Sequence, residues 1–345
     1  MTKKQNATIK EVAELANVSQ MTVSRVLNDQ DVVRDSTRKR VQAAMRELNY
    51  RPNIMARNLA GRSGLFIGLI YRNPSYGYLS EFLMGALNAC RELGHYLIVE
   101  EPIVDDNMVD LELIEKRFLD TSVQALIVIP PLSDDPKLIQ MLQSIDIPFV
   151  CVSPDPEAMV SPSVRMDDQS AAKDMTEYLL SVGHRRIALI TGPWDLASSK
   201  MRLSGFNESM AEHDLAIDPS LIVSGDFTYV SGMQAADDLL SSSQPPTAIF
   251  ACNDDMASGA IAAAHKRGLD VPLDVSVVGF DDTANASAMW PPLTTVRQPI
   301  REMAHGAIKV LAKSVGQGAA LSTEPRTLDY ELIVRKSAGP PKQTD

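Results

Sequence analysis

The sequence predicts two folded parts in series: an all-α head built on a helix-turn-helix, and an α/β body of doubly wound parallel sheets. Three observations carry this. Apolar residues recur at helical spacing in three short runs before residue 50. From Leu65 onward, short and continuously apolar runs alternate with amphipathic helical ones. Charge divides at the same place: residues 1–62 carry 12 Lys and Arg against 6 Asp and Glu, a net +6, while the remainder carries 21 against 38, a net −17. A chain of 345 residues also exceeds what a single small core needs.

In the head, Ile9, Val12, Ala13 and Ala16 form the first periodic stripe. Asn17-Val18-Ser19 follows, where the short polar Ser19 can cap a second helix. That helix puts Val23, Val26 and Leu27 on one face, and Val41, Ala44, Met45 and Leu48 supply the third side of a minimal core. Gln20, Met21, Thr22 and Arg25 are left facing outward near the start of the second helix. Amide and guanidinium forks with an apolar neighbour suit base edges in a major groove. Ser24 and Asn28 suit phosphate oxygens, which position a protein without specifying sequence. Thr8 and Tyr50 complete the expected DNA-facing set. A basic head on an acidic body fits a partner rich in phosphate, although a solvated basic face would give the same totals.

The wording is more specific than the periodicity. TIKEVAELANVSQMTVSRVLN, followed by VVRDSTRKRVQAAMRELNYRPNIMARNLAGRSG, closely resembles the lactose-repressor-like (LacI/GalR) family of bacterial transcription regulators. The resemblance is dense over residues 8–64 and returns in patches to about residue 335. Pro52 suits a first helical turn, and IMARNLA is a helix-capable run too short to be stable alone. The resemblance implies that this run is a hinge helix ordered by DNA, with Leu59 wedged into the minor groove and Asn53 and Ala56 at the groove or backbone. Ala60 stands where some relatives have a lysine, so one groove contact is absent from the pattern.

In the body, LFIGLI, YLIVE, ALIVIP, FVCV, RIALIT, AIFAC and VSVVGF read as buried parallel strands. With so many strand–helix units, two doubly wound subdomains suit the pattern better than one sheet, and a barrel remains the alternative. The resemblance decides for the pair, a periplasmic-binding-protein-like body. Its implied boundaries are residues 1–51 for the DNA-binding domain, 52–63 for the hinge and 64–337 for an effector-binding and dimerisation domain. Within the last, the N-subdomain spans about 64–165 and 295–323 and the C-subdomain about 166–293 and 325–337, with 338–345 a disordered tail. The crossings between halves are expected near Val164–Met166, Leu293–Thr295 and Thr323–Arg326.

Ligands of open parallel sheets sit beyond the carboxyl ends of strands. The chain places Tyr71, Asn73, Tyr76 and Tyr78 after one strand, Pro131 after another, and Asp155 shortly after FVCV. Phe227 follows LIVSGD. Carboxylates and amides accept from hydroxyls, and an aromatic face packs the C–H surface of a sugar ring. The resemblance implies ligand-binding roles for Arg202 in RLSGF, Asn253 and Asp281, whereas Ser153 departs from an aspartate common in the family. Asp255 and Asp282 could equally cap the structures that follow them. His184 reads as structural, and Trp290 with its prolines as a crossover lining.

The expected partners are therefore a pseudo-palindromic double-stranded DNA operator, a small sugar-like effector and a second copy of the chain, with no cofactor, metal or membrane. A sugar-binding protein or a carboxylate-based hydrolase could share the body alone. No GxSxG, GxxxxGK[ST] or HExxH stretch is present, and the five histidines are scattered. Cys90, Cys151 and Cys252 form no CxxC pair and read as small buried hydrophobes. MTKKQNAT lacks an apolar core, so a cytoplasmic chain is expected.

Overall fold

A computed structural model of the chain describes residues 7–27, 33–50, 64–102, 104–105, 108–145, 147–156, 161–317 and 324–342. Residues 1–64 and 65–345 form two compact units.

The first unit packs three helices, α1 (Ile9–Leu15), α2 (Gln20–Leu27) and α3 (Asp35–Glu47). Thr8 opens α1 with a reciprocal cap: its hydroxyl accepts from the Glu11 N–H, and its own N–H donates to the Glu11 carboxylate at 2.6 Å. Asn17 takes a positive φ of 52° to make the tight turn, and Ser19 Oγ accepts from Thr22 N at 3.1 Å to start α2. Val12, Val23, Val26, Val41 and Ala44 meet in the core, as their spacing requires.

The second unit holds two six-stranded sheets. Its elements, in chain order, are β1 (Phe66–Ile70), α4 (Tyr76–Leu93), β2 (Tyr96–Glu100), a β3–β4 hairpin (Val104–Asp105, Met108–Val109), α5 (Leu111–Asp120), β5 (Ala125–Val128), α6 (Pro136–Ser144), β6 (Phe149–Val152) and β7 (Ser163–Met166). Then come α7 (Asp168–Ser181), β8 (Ile187–Thr191), α8 (Ala197–Glu212), β9 (Ile222–Ser224), α9 (Tyr229–Ser241), β10 (Ala248–Ala251), α10 (Asp254–Lys266), β11 (Ser276–Asp281), α11 (Ala284–Ala288), β12 (Thr294–Arg297), α12 (Ile300–Gln317), β13 (Arg326–Leu328) and β14 (Glu331–Ile333). The first sheet runs β13-β7-β6-β5-β1-β2 and is wholly parallel. The second runs β14-β12-β11-β10-β8-β9, antiparallel only where β14 joins β12. All seven apolar runs read from the sequence are strands. The short edge strands β9, β13 and β14, and the polar β12, carry no comparable apolar signal.

Three expectations are corrected. β12 is hydrogen-bonded into the second sheet, so that crossing follows Arg297 and not Leu293–Thr295. β13 pairs with β7 in the first sheet, which moves the last crossing to the stretch between Leu328 and Glu331. The tail from Ala338 to Lys342 is docked, not disordered. His184 Nε2 pairs with the Gly339 carbonyl at 2.8 Å, and Lys342 bonds Asp274 at 2.9 Å. His184 is the structural residue its sequence context suggested.

Close helix approach fixes α8 against α7. Gly205 of α8 lies so near α7 that a Cβ there would run into the Gln169 carbonyl and the Lys173 amide. Gly205→Ala should lower stability by about 1–3 kcal/mol through overpacking. Chemical denaturation checks this, and an unmoved midpoint would show that α8 can shift freely.

Candidate functional site

The carboxyl ends of both sheets in the second unit face one cleft. The first sheet's half contributes Asn73, Pro74, Ser75, Tyr78, Pro130, Pro131 and Ser153. From the other half come Asp168, Leu196, Ser198, Arg202, Phe227, Asn253 and Asp281, and Gln298 follows β12.

At its floor is Arg202, only 5% exposed. Its Nε and Nη2 donate to Asp168 Oδ1 at 2.9 and 2.8 Å, Nη1 donates to the Cys252 carbonyl, and the guanidinium lies 3.7 Å over the Phe280 ring. Asp168 is itself 1% exposed, and burial pushes its carboxyl up against the pull of Arg202. Asp281 is buried beside them and pushed well above the usual carboxylate range by burial, with Arg202 opposing and Asp254 adding to the shift. Gln298 Nε2 donates to Asp281 at 2.6 Å. Beneath, Asp254 accepts from Thr295 Oγ1 at 2.6 Å and Thr283 N at 2.7 Å, locking the ends of β11 and β12 together.

Asn253 has two structural bonds inside the pocket. Its carbonyl accepts from Met256 N to cap α10, and its amide donates to the Phe227 carbonyl, both at 2.9 Å. That bond holds Phe227 at φ 66°, a left-handed conformation rare for a bulky residue. The ring lies on Gly192, where any Cβ would collide with it. Ser153 and Asp281 also have positive φ, of 45° and 124°. Backbone strain is thus gathered around the cleft.

Six of the nine expected effector residues come together here: Asn73, Pro131, Arg202, Phe227, Asn253 and Asp281. The other three do not line the cleft. The Tyr71 hydroxyl donates to Glu101 at 3.2 Å, towards the neighbouring strand. Tyr76 is 82% exposed because α4 begins there, and the helix turns Tyr78 inward in its place. Asp155 gives its backbone N–H to Asp134 at 2.9 Å. Asp168, Ser198 and Gln298 were not read from the sequence, whereas Tyr78, which follows Tyr76 in it, does line the cleft. Asp168 hides in an Asp-Asp doublet whose first member, Asp167, caps α7. Among the described residues, the buried Tyr78 hydroxyl has no hydrogen-bond partner, and it faces the charges of Asp281, Asp168 and Arg202. Of the two capping candidates, Asp255 accepts from Ser75 Oγ at 2.7 Å, and Asp282 pairs with Arg297 and Arg335 at 2.8 and 2.6 Å. Trp290 is exposed outside the cleft. The three cysteines are free and buried, as expected.

In the first unit, Gln20, Met21 and Arg25 are exposed on α2, and Thr22 and Ser24 are half-buried beside them. Arg25 lies along Met21, with Nη2 3.5 Å from its sulfur. Thr8 and Ser19 stay exposed while capping their helices, and Tyr50 packs partly into the core. Asn28, Asn53, Ala56 and Leu59, with the whole 52–63 hinge, lie outside the described residues.

Residues 8–53 match the family model described as bacterial regulatory proteins, lacI family, and residues 176–338 match the periplasmic binding protein-like domain. The chain is 32% identical over 333 residues to the HTH-type transcriptional repressor PurR of Photobacterium profundum, covering 96% of this chain and 98% of that one. It is 34% identical over 332 residues to the ribose operon repressor of Escherichia coli, covering 96% and 100%. Among solved structures, a lac repressor dimer bound to operator and an anti-inducer superposes with a TM-score of 0.83 at 32% identity, covering 97% and 100%. The transcriptional regulator CelR in complex with cellobiose gives 0.73 at 30%, covering 96% and 100%.

Removing one member of a buried ion pair strands the other, at about 3–5 kcal/mol. Asp168→Ala should lower the body's denaturation midpoint accordingly, and adding Arg202→Met should recover part of the loss. Equal midpoints for wild type and Asp168→Ala would mean that the pair does not hold the pocket floor.

Proposed function

This chain belongs to the lacI family of bacterial regulatory proteins, and from that premise we propose that it is a repressor of carbohydrate-catabolic genes whose hold on its operator is set by a sugar-like molecule in the cleft. The observation that carries the effector reading is the cleft's chemistry: one paired guanidinium, two buried carboxyls, amides, hydroxyls and an aromatic face. Arg202 is already neutralised by Asp168, so the pocket suits a neutral polyhydroxylated ligand better than an anionic one. The cellobiose complex and the ribose repressor among its relatives support that class.

The DNA reading rests on the outward face of α2, where Gln20, Met21 and Arg25 would meet base edges and Ser24 phosphate. Thr8, Ser19 and Tyr50 would flank them, with Asn28 at the backbone. Leu59 would wedge the minor groove, beside Asn53 and Ala56. Two copies would pair through the second unit. Exposed Met84 and Leu87 on α4, with Tyr96 and Val99 on β2, offer apolar surface for this. The lac repressor dimer on its operator supports the same arrangement. We read the chain as a cytoplasmic regulator and not a catalyst, because Asp168, Asp254 and Asp281 are all engaged by neighbouring donors. Among the described residues no helix is long and apolar enough to cross a membrane.

Selection from random duplexes with the full-length chain should enrich a two-fold palindrome, and enrichment of no symmetric sequence would remove the operator reading. On the enriched duplex, Leu59→Ala should weaken binding by about tenfold, as expected for loss of a wedge that opens a base step. Unchanged affinity would take the wedge role from Leu59.

A further inference from the structure

The two halves of the body touch across the cleft through a reciprocal pair of contacts. Helix α8, which carries Ser198 and Arg202, begins after Leu196, a residue with no side-chain oxygen to cap it. The cap comes from the opposite half: Asp134 Oδ2 accepts from Ala197 N at 3.1 Å, while Oδ1 accepts from Asp155 N at 2.9 Å within its own half. At the other edge the roles reverse. Ser75 of the first half caps α4, the helix that carries Tyr78, and its hydroxyl donates to Asp255 of the second half at 2.7 Å. Beside this contact Gly77 approaches Thr283 so closely that a Cβ would lie 2.8 Å from its methyl carbon.

We propose that Asp134 and Asp255 are a pair of latches across the cleft, each lending a carboxylate to the start of a helix in the other half and so favouring the closed body. A carboxylate at a helix start is favoured by the backbone dipoles and by the unpaired N–H groups there. The latches set the resting balance between open and closed bodies, against which an effector must then work. The inference rests on contacts between the two halves and stands whether or not the ligand is a sugar.

The latches have a distinguishing pH signature. Burial pushes the Asp134 carboxyl up to about 6, against the hydrogen bonds from Ala197 and Asp155. The Asp155 carboxylate adds to the rise, Lys200 opposes it, and Cys151 is the other titratable neighbour. Burial raises Asp255 too, against the Ser75 bond, with Asp281 the charged group facing it. Opening returns both carboxyls to water, where the ordinary value is 3.8. The closed body therefore holds the protons more tightly, so closure strengthens as pH falls through about 6 towards that ordinary value and weakens as pH rises through it.

The test uses the full-length, ligand-free chain with spin labels at Lys137→Cys on α6 and Ala211→Cys on α8, the native cysteines being buried. Double electron–electron resonance then reads the distance between halves at pH 7.5 and 5, values chosen to lie on either side of about 6. Asp134→Ala and Asp255→Ala should each lower the closed-to-open ratio at the higher pH by about tenfold, the scale of a hydrogen bond to a charged group. The wild type should close further at the lower pH. The Asp134→Asn, Asp255→Asn double variant, which keeps the shape and cannot titrate, should lose that response. Unchanged distances in folded alanine variants, or an undiminished pH response in the asparagine pair, would overturn the latch.

Discussion

The body is organised around one buried interaction, the Arg202–Asp168 pair at the floor of the cleft. A guanidinium is expensive to remove from water, and this one is tolerated because a carboxylate, a carbonyl and an aromatic face meet it at once. Those partners come from α7, the end of β10 and β11, so the pair ties a helix and two strands of the second half to α8. Asp281 and Asp254 add further charge within the same volume, each made bearable by neighbouring donors. A polar network of this kind specifies one arrangement, since half-satisfied alternatives are costly.

Around that pair the backbone is strained where cleft-lining residues stand. Phe227, Ser153 and Asp281 occupy conformations that their side chains disfavour, held there by Asn253, by the absence of a Cβ at Gly192, and by Gln298. The rigid parts of the cleft thus belong to each half separately, with the Asp134 and Asp255 contacts joining them at its edges. Such a body can respond to a ligand by changing the relation of its halves while leaving each half intact, which is what coupling between two sites requires.

Much of this was legible in the sequence. Continuously apolar strands announced a doubly covered parallel sheet, and the strand-end rule points to Asn253 and Asp281, which share the cleft with Phe227 and with Arg202 of α8. The misses share a physical reason. Tyr76 and Tyr78 are indistinguishable until the first residue of α4 is known, because two residues on a helix change face. Asp168 looks like part of a cap, since a doublet of aspartates at a helix start is ordinary local chemistry. β12, β13 and β14 take their places through pairing with distant strands, which their own three or four residues do not announce. The tail from Ala338 to Lys342 is ordered by His184 and Asp274, partners remote in sequence and invisible to composition.

The central claim is that what fills the Arg202 pocket governs the grip on DNA. Fluorescence anisotropy of a labelled operator duplex, titrated with a saccharide that binds the wild-type chain, tests it most directly when repeated with Arg202→Ala. The wild-type affinity for the duplex should shift by about tenfold, within the usual range of allosteric coupling, while the variant binds the duplex equally well and ignores the sugar. A variant that responds as fully as the wild type would contradict the account.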